Sequence, residues 1–261
     1  AIWAGDGEIF VAGGVESMSR APYLMDRPEK AYSPTLPTFR KSQSSPTEIG
    51  NPPMGITAEN LAKKYQISRE EQDAFSLQSQ QRMSKAMEEG RFEKQIVPIL
   101  VPTRKGEPIE FKVDEHPRPE TTKEGLVKLP AVFLKDGTVT AGSSSGLNDG
   151  ASVVVIMSRE KANQLGITPL AVVRAQAVAG VDPNIMGIGP VPATQKVLEK
   201  AGLALADIDV IEINEAFAAQ VLACDKELKM DPAKVNINGG AIAHGHPLGA
   251  TGAILMTKAI Y

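Results

Sequence analysis

From Thr138 onward the chain repeats one unit four times: a short apolar, β-branched run followed by a segment of helical periodicity. The runs cover 151–157, 171–178, 208–213 and 235–238, and the helices are expected from about 158 to 166, 193 to 200, 215 to 228, and from 253 on. This alternation predicts an α/β fold. The unbroken apolar character of 151–157 further predicts a strand buried on both faces. In such folds ligands gather where strands end and helices begin. Asn214 and His246 both fall at that boundary, which makes them candidates for one site.

The stretch Asn236–Gly252 holds five of the 23 glycines and two of the three histidines. Glycine lets a backbone approach a ligand closely, and the start of the next helix offers free N–H groups and a positive dipole end. A histidine placed there can act as acid, base or donor near neutral pH. The competing reading is a glycine-rich turn around a packed histidine. His244 and His246 are two apart, a spacing that sends them to opposite sides of an extended segment, and no acid or cysteine flanks them, so no metal site is expected. The G-x-x-x-x-G-K-[S/T] pattern of a phosphate loop is absent. Asn214 either caps the following helix or fixes a water or an oxyanion.

The first half is less regular. A strand is expected at Glu8–Ala12, followed by an irregular, Pro- and Ser-rich excursion from Ser19 to Asn51. Thr57–Tyr65 should be helical, and Ser68-Arg-Glu-Glu71 is a capping box opening a helix that ends at Gly90. Ile96–Val113 suits one or two strands, and Glu115–Gly137 a loop. A net charge of −3, with bases and acids interleaved between Lys63 and Lys128, argues against a polyanion partner. No apolar run approaches the roughly 18 residues of a membrane helix. The single cysteine, Cys224, falls mid-helix and is expected to be a buried structural thiol. One cysteine suits a reducing compartment, the cytoplasm or an organellar matrix. The chain starts without Met and stops in an uncapped helical pattern, so it is expected to be an internal piece of a longer protein.

Six segments together resemble the thiolase family, in the family's order: Val11–Ser19, Met54–Asn60, Lys135–Gly142, Ser145–Gly150, Asn214–Gln220 and the Gly245-His246-Pro247 loop. The resemblance implies the thiolase fold, two topologically equivalent α/β halves, each with a five-stranded mixed sheet, and an inserted loop domain. Residues 1–20 and 148–168 would belong to the first half, 21–147 to the loop domain that binds coenzyme A and substrate, and 169–261 to the second half. It implies thiolysis of a 3-ketoacyl-CoA by a cysteine thiolate, with coenzyme A as co-substrate and no permanently bound cofactor or metal. The nucleophilic cysteine and a second, acid/base cysteine would lie outside these residues, leaving the piece inactive alone. By resemblance, His246 activates the thiol and donates to the enolate oxygen, while Asn214 holds a water that supplies the second donor.

Ser145 matches the position that bonds the pantetheine arm, and Arg118 one near the adenine end of coenzyme A. Met54, Phe133, Ala141, Leu147, Ala216 and Phe217 match positions lining the substrate tunnel. Pro53 stands where biosynthetic acetoacetyl-CoA thiolases typically have His, so a degradative enzyme of fatty-acid β-oxidation is expected, a homodimer or homotetramer when complete. The alternatives are a biosynthetic thiolase, a thiolase-fold carbon–carbon synthase, or a non-catalytic acyl-CoA-binding relative.

Overall fold

The computed structural model describes residues 1–261 apart from Glu29, Ser33, Lys41 and Ser42, so the expected irregular excursion lies outside the described residues at those four positions. In chain order the elements are strand β1 (Ile9–Glu16), helices α1 (Met54–Tyr65) and α2 (Arg69–Glu88), and strands β2 (Ile99–Val101) and β3 (Ile109–Phe111). Helix α3 (Lys123–Val127) and strand β4 (Gly150–Met157) follow, then helices α4 (Arg159–Gln164), α5 (Pro190–Ala201), α6 (Ala218–Leu228), α7 (Ala241–His244) and α8 (Thr251–Ile260).

Helix α1 buries Ala58, Leu61 and Ala62, an i, i+3, i+4 stripe, and this stripe joins Val221, Ala223 and Cys224 of α6 in the main hydrophobic core. Val139, Ile188, Ile213 and Val235 belong to that core too, and Ile213 precedes Asn214 directly. Helix α2 begins with the expected capping box: Ser68 Oγ accepts from Glu71 N at 3.1 Å, and Glu71 Oε2 accepts from Ser68 N at 2.6 Å. Its buried face is largely polar, with Gln72, Asp73, Ser76, Ser79 and Gln80 all enclosed. Buried polar groups need partners; Asp73 and Ser76 find theirs within α2, in Arg69 and the Gln72 carbonyl, and the other three in distant segments. Gln72 Nε2 donates to Thr138 Oγ1 at 2.9 Å, Gln80 Nε2 to the Ile242 carbonyl at 3.2 Å, and Ser79 Oγ to Glu215 Oε2 at 2.6 Å. Helix α2 is therefore a polar spine that ties Thr138 to the two candidate segments.

Strands β1 and β4 pair antiparallel from Ile9↔Met157 to Glu16↔Gly150. One face of this ribbon meets α8, where Ser152 Oγ lies 3.4 Å from Thr257 Oγ1. The other face exposes Val11, Val15, Val153 and Val155, with Val153 63% exposed. The expectation of a strand buried on both faces is thus corrected: burial along β4 alternates, because its ribbon is covered on one side only.

The five-stranded sheets implied by the resemblance are also not formed among the described residues, which make two two-stranded ladders, β1 with β4 and β2 with β3. A strand exists only with a partner alongside. Residues 171–178 have none, and the runs at 208–213 and 235–238 meet in a single parallel bridge, Ile211↔Val235. Two smaller corrections concern helices. The expected loop Glu115–Gly137 contains α3, started by Thr122, whose side chain accepts from Gly125 N at 3.1 Å. Helix α6 starts at Ala218 rather than Glu215, which leaves residues 214–217 outside it.

Removing the α2 cap with Ser68→Ala should lower stability by about 1 kcal/mol, read as a lower urea midpoint with unchanged slope. An unchanged midpoint would show that the capping box contributes nothing.

Candidate functional site

Asn214 and His246 come from segments 32 residues apart and meet: Asn214 Nδ2 lies 3.3 Å from His246 Nε2. Asn214 does not cap a helix. The N-cap of α6 is Phe217, with no side-chain cap bond, so the capping reading falls and the amide is turned toward the histidine. Its Oδ1 is buried and accepts no hydrogen bond among the described residues.

The segment bearing Asn214 is held by Asn236, which substitutes for a strand. Asn236 Oδ1 accepts from Ile213 N at 2.9 Å, and Nδ2 donates to the Ile213 carbonyl at 2.9 Å and to Glu215 Oε1 at 2.8 Å. Glu215 is the junction. Besides Asn236 and Ser79, its carboxylate accepts from Ile242 N at 3.2 Å, in the turn that leads to His246. Gly240 is required at this junction, because a Cβ there would lie 2.2 Å from the Glu215 carboxyl carbon. Burial pushes the Glu215 carboxyl up, and the donors from Ser79, Asn236 and Ile242 oppose that shift.

The histidine is held from three sides. His246 N donates to Asn148 Oδ1 at 3.2 Å, and its Nδ1 lies 2.7 Å from Thr251 Oγ1 at the start of α8. Gly245, φ +97°, makes the turn beside Asn148 that a larger residue would obstruct. Below the loop, Gly249 N donates to Glu16 Oε2 at 3.1 Å, and Lys258 Nζ of α8 donates to the Gly239 carbonyl at 2.8 Å. Lys258 also faces Glu212 at 3.8 Å, a buried charge contact without a hydrogen bond, and burial pushes the Glu212 carboxyl up to about 7.

His244 is not on an extended segment opposite His246, as its spacing implied; it ends the helical turn α7. Burial, then the charge of Lys258, pushes its imidazole down to about 3, and its Nε2 is buried with no hydrogen-bond partner. Burial also lowers His246. His116, a neighbour of Gly146, is lowered by burial and then by Arg118.

Several of the expected binding residues converge on one strip. Ser145 N donates to the Ala216 carbonyl at 3.0 Å, Ser144 bridges to Phe217, and the Phe217 and Phe133 rings meet edge-on at 5.9 Å. The Phe133 ring also packs on Gly55, next to Met54, at the start of α1. Met54 also lines an open cavity of about 290 Å³ with Pro52, Val181 and Met186. Ala141 lies in a 3₁₀ turn, Ala141–Ser143. Leu147 is 82% exposed and Arg118 is exposed, its backbone N donating to Gln80 Oε1 at 2.9 Å and its carbonyl accepting from Thr121. The structure thus groups Asn214, His246, Ser145, Ala216, Phe217, Phe133 and Met54, and leaves Arg118 and Leu147 at the surface. Cys224 is buried, donates to the Gly187 carbonyl at 3.3 Å, and is pushed by burial up to about 11, as befits a structural thiol.

Sequence reasoning missed the residues that hold the pair: Glu215, Asn236, Asn148, Thr251 and Ser79. Four of them sit inside or beside the quoted motifs, but motif membership carries no geometry. Ser79 is one of many polar residues on α2 and gave no signal.

Because all three imidazoles are lowered, all three should be neutral at pH 7. NMR titration of the ring Cε1–H signals should show His246 protonating below the usual value of about 6.5, and His244 unresponsive above pH 5. Each proton must enter an imidazole that the fold keeps neutral, so the histidines' contribution to stability should be full above about pH 6.5 and fall as pH drops. A His246 midpoint above 6.5 would contradict the burial seen here.

The chain and its fold have counterparts among known proteins. The family model for the thiolase N-terminal domain matches residues 1–160, and that for the thiolase C-terminal domain residues 167–261. An acetyl-CoA acetyltransferase of Chromobacterium violaceum is 50% identical over 264 residues, covering 100% of this chain and 67% of its own. A probable acetyl-CoA acyltransferase of Staphylococcus epidermidis is 47% identical over 263 residues, with the same coverage. Among solved structures, human mitochondrial 3-ketoacyl-CoA thiolase superposes with a TM-score of 0.92 at 46% identity, covering 99% of this chain and 66% of the human one. A structure of human mitochondrial 3-ketoacyl-CoA thiolase in complex with CoA gives 0.90 at 45% identity, covering 99% and 65%. The chain spans about two thirds of the length of these relatives. With the two domain models matching residues 1–160 and 167–261 and this degree of identity, the chain has the thiolase fold and belongs to the thiolase family.

Proposed function

We propose that these residues supply the histidine, the asparagine and much of the coenzyme A site of a degradative 3-ketoacyl-CoA thiolase. The observation that carries this is the His246–Asn214 contact: a neutral imidazole Nε2 next to an amide whose Oδ1 has no partner. A base of lowered pKa stays neutral near pH 7 and is able to take a thiol proton. Asn214 Oδ1 fits the water that would share the developing enolate charge with His246. Coenzyme A would run past Ser145, whose hydroxyl bonds nothing else among the described residues, with its adenine end toward the exposed Arg118.

The reaction proceeds in two covalent halves. His246 removes the proton of a cysteine supplied from outside these residues, and the thiolate attacks the 3-keto carbon. The bond between C2 and C3 breaks, the acyl group stays on the cysteine, and the electron pair leaves on the acetyl-CoA enolate, which takes a proton at C2 from the second cysteine. The second cysteine, now a thiolate, takes the thiol proton of coenzyme A, whose thiolate attacks the acyl-enzyme; the shortened acyl-CoA leaves, and the nucleophilic cysteine departs as a thiolate that recovers its proton from His246. Cys224 is too buried and too weakly acidic to take either part. Pro53 before Met54 supports the degradative direction over acetoacetyl-CoA synthesis. The surrounding enzyme would be a homodimer or homotetramer acting in fatty-acid β-oxidation, in the cytoplasm or an organellar matrix.

The test is thiolysis of acetoacetyl-CoA and of a longer 3-ketoacyl-CoA by the protein that joins these residues to a nucleophilic cysteine. Both should turn over, and His246→Asn should reduce kcat by about 10²–10⁴-fold with KM little changed. Strict preference for the four-carbon substrate would defeat the degradative assignment. Coenzyme A binding with no turnover would favour a non-catalytic acyl-CoA-binding protein. The 261 residues alone should show no thiolysis.

A further inference from the structure

Thr251 makes two side-chain contacts that together constrain where the proton of His246 resides. Its Oγ1 lies 2.7 Å from His246 Nδ1 and 2.9 Å from the Pro247 carbonyl oxygen. A hydroxyl has one proton, and a carbonyl oxygen only accepts. Both contacts are hydrogen bonds only if Thr251 donates to Pro247 and accepts from His246 Nδ1. The neutral imidazole then carries its proton on Nδ1 and its lone pair on Nε2. The other side of the ring agrees, because Nε2 meets the amide Nδ2 of Asn214, a donor, at 3.3 Å. The single unmatched atom of this network is an acceptor, Asn214 Oδ1.

The opposite arrangement would have Thr251 donate to Nδ1 and would place a proton on Nε2. That proton would point at the Asn214 amide donor unless the amide turned over, and the turned amide would bury an unmatched NH₂. Thr251 would also lose its bond to Pro247.

We propose that Thr251 is a positioning residue that holds neutral His246 as its Nδ1–H tautomer, making Nε2 a base before it becomes a donor. The catalytic consequence rests on the thiolase reading of His246, whereas the tautomer does not. When Nε2 takes a thiol proton, the products are a thiolate and an imidazolium with N–H on both nitrogens. Nε2–H is then available to the enolate oxygen, and Nδ1–H keeps its bond to Thr251. One orientation of the Thr251 hydroxyl therefore serves both protonation states, while the Asn214 amide, a donor facing Nε2 at 3.3 Å, has to give way once Nε2 carries a proton.

Long-range ¹H–¹⁵N correlation of the ring nitrogens tests this directly. The protein has three histidines, and His246→Gln identifies the signal set of the third ring. At pH 7.5 the pyridine-like nitrogen of His246 should be Nε2, in the unsubstituted protein and in Thr251→Ser, which keeps the hydroxyl. In Thr251→Val, close in shape, the pyridine-like signal should move to Nδ1 or average between the two. A pyridine-like Nδ1 in the unsubstituted protein would overturn the proposal, as would an unchanged tautomer in the folded Thr251→Val. If Thr251→Val does not fold, the first two proteins still decide the tautomer. The measurement needs no turnover, so failure of the enzymatic reading would leave its outcome intact, and the reverse holds too.

Discussion

The buried carboxylate of Glu215 is the interaction on which the site depends. It follows Asn214 directly and accepts from Asn236, from Ser79 on α2, and from the Ile242 amide in the turn that carries His246. Ser79 belongs to α2, whereas Asn236 and Ile242 belong to the stretch that carries His246, so the carboxylate joins three segments including its own. A buried charge without partners would cost several kcal/mol, so a carboxylate met on each oxygen specifies one arrangement of those parts and penalises others. The packing of α1 against α6 supplies a core, but that core alone would not fix the distance between Asn214 and His246. Glu215 and Asn236 supply what a full β-ladder would otherwise provide: a hydrogen-bonded register between the 211–215 run and the loop after Val235.

The same junction shapes the chemistry of the pair. The loop is fastened at its start by Lys258 on the Gly239 carbonyl, and at its end by Thr251, on the same helix α8. His246 is therefore presented from a rigid helix start rather than from a mobile turn, as preorganised catalysis requires. Burial keeps the imidazole neutral, and Asn214 leaves one acceptor unpaired next to it. Neither property belongs to one residue. Both follow from burying the loop between α2, α8 and the ribbon of β1 and β4.

The sequence made legible what depends on local chemistry. The capping box at Ser68 to Glu71, the helix of Met54–Tyr65, and the grouping of Asn214 with His246 all follow from residue types and spacing. It misled where the outcome depends on neighbours. The 151–157 run is apolar enough for a two-sided strand, yet β4 is covered on one side; 171–178 has strand composition but no partner. Composition reports a preference, and a ladder requires a second strand. Asn214 shows the limit at the site: at a strand-to-helix junction its type fits a cap equally well, and only the late start of α6 frees it for His246. The polar face of α2 was invisible for the same reason, since Ser79 and Gln80 look like solvent-facing residues until their distant partners are in place.

The central claim is that Glu215 joins the Asn214 segment to the His246 loop, and amide hydrogen exchange at Ile242 and Gly240 measures it most directly. Ile242 N donates to Glu215, and Gly240 N donates to Ser79 Oγ at 3.0 Å, which in turn donates to Glu215. In Glu215→Gln both amides should exchange at least tenfold faster, a loss of about 1.4 kcal/mol of local protection, while amides in the middle of α1 stay unchanged. Equal protection at Ile242 and Gly240 in the two proteins would contradict the account, because the loop would then be held by something other than this carboxylate.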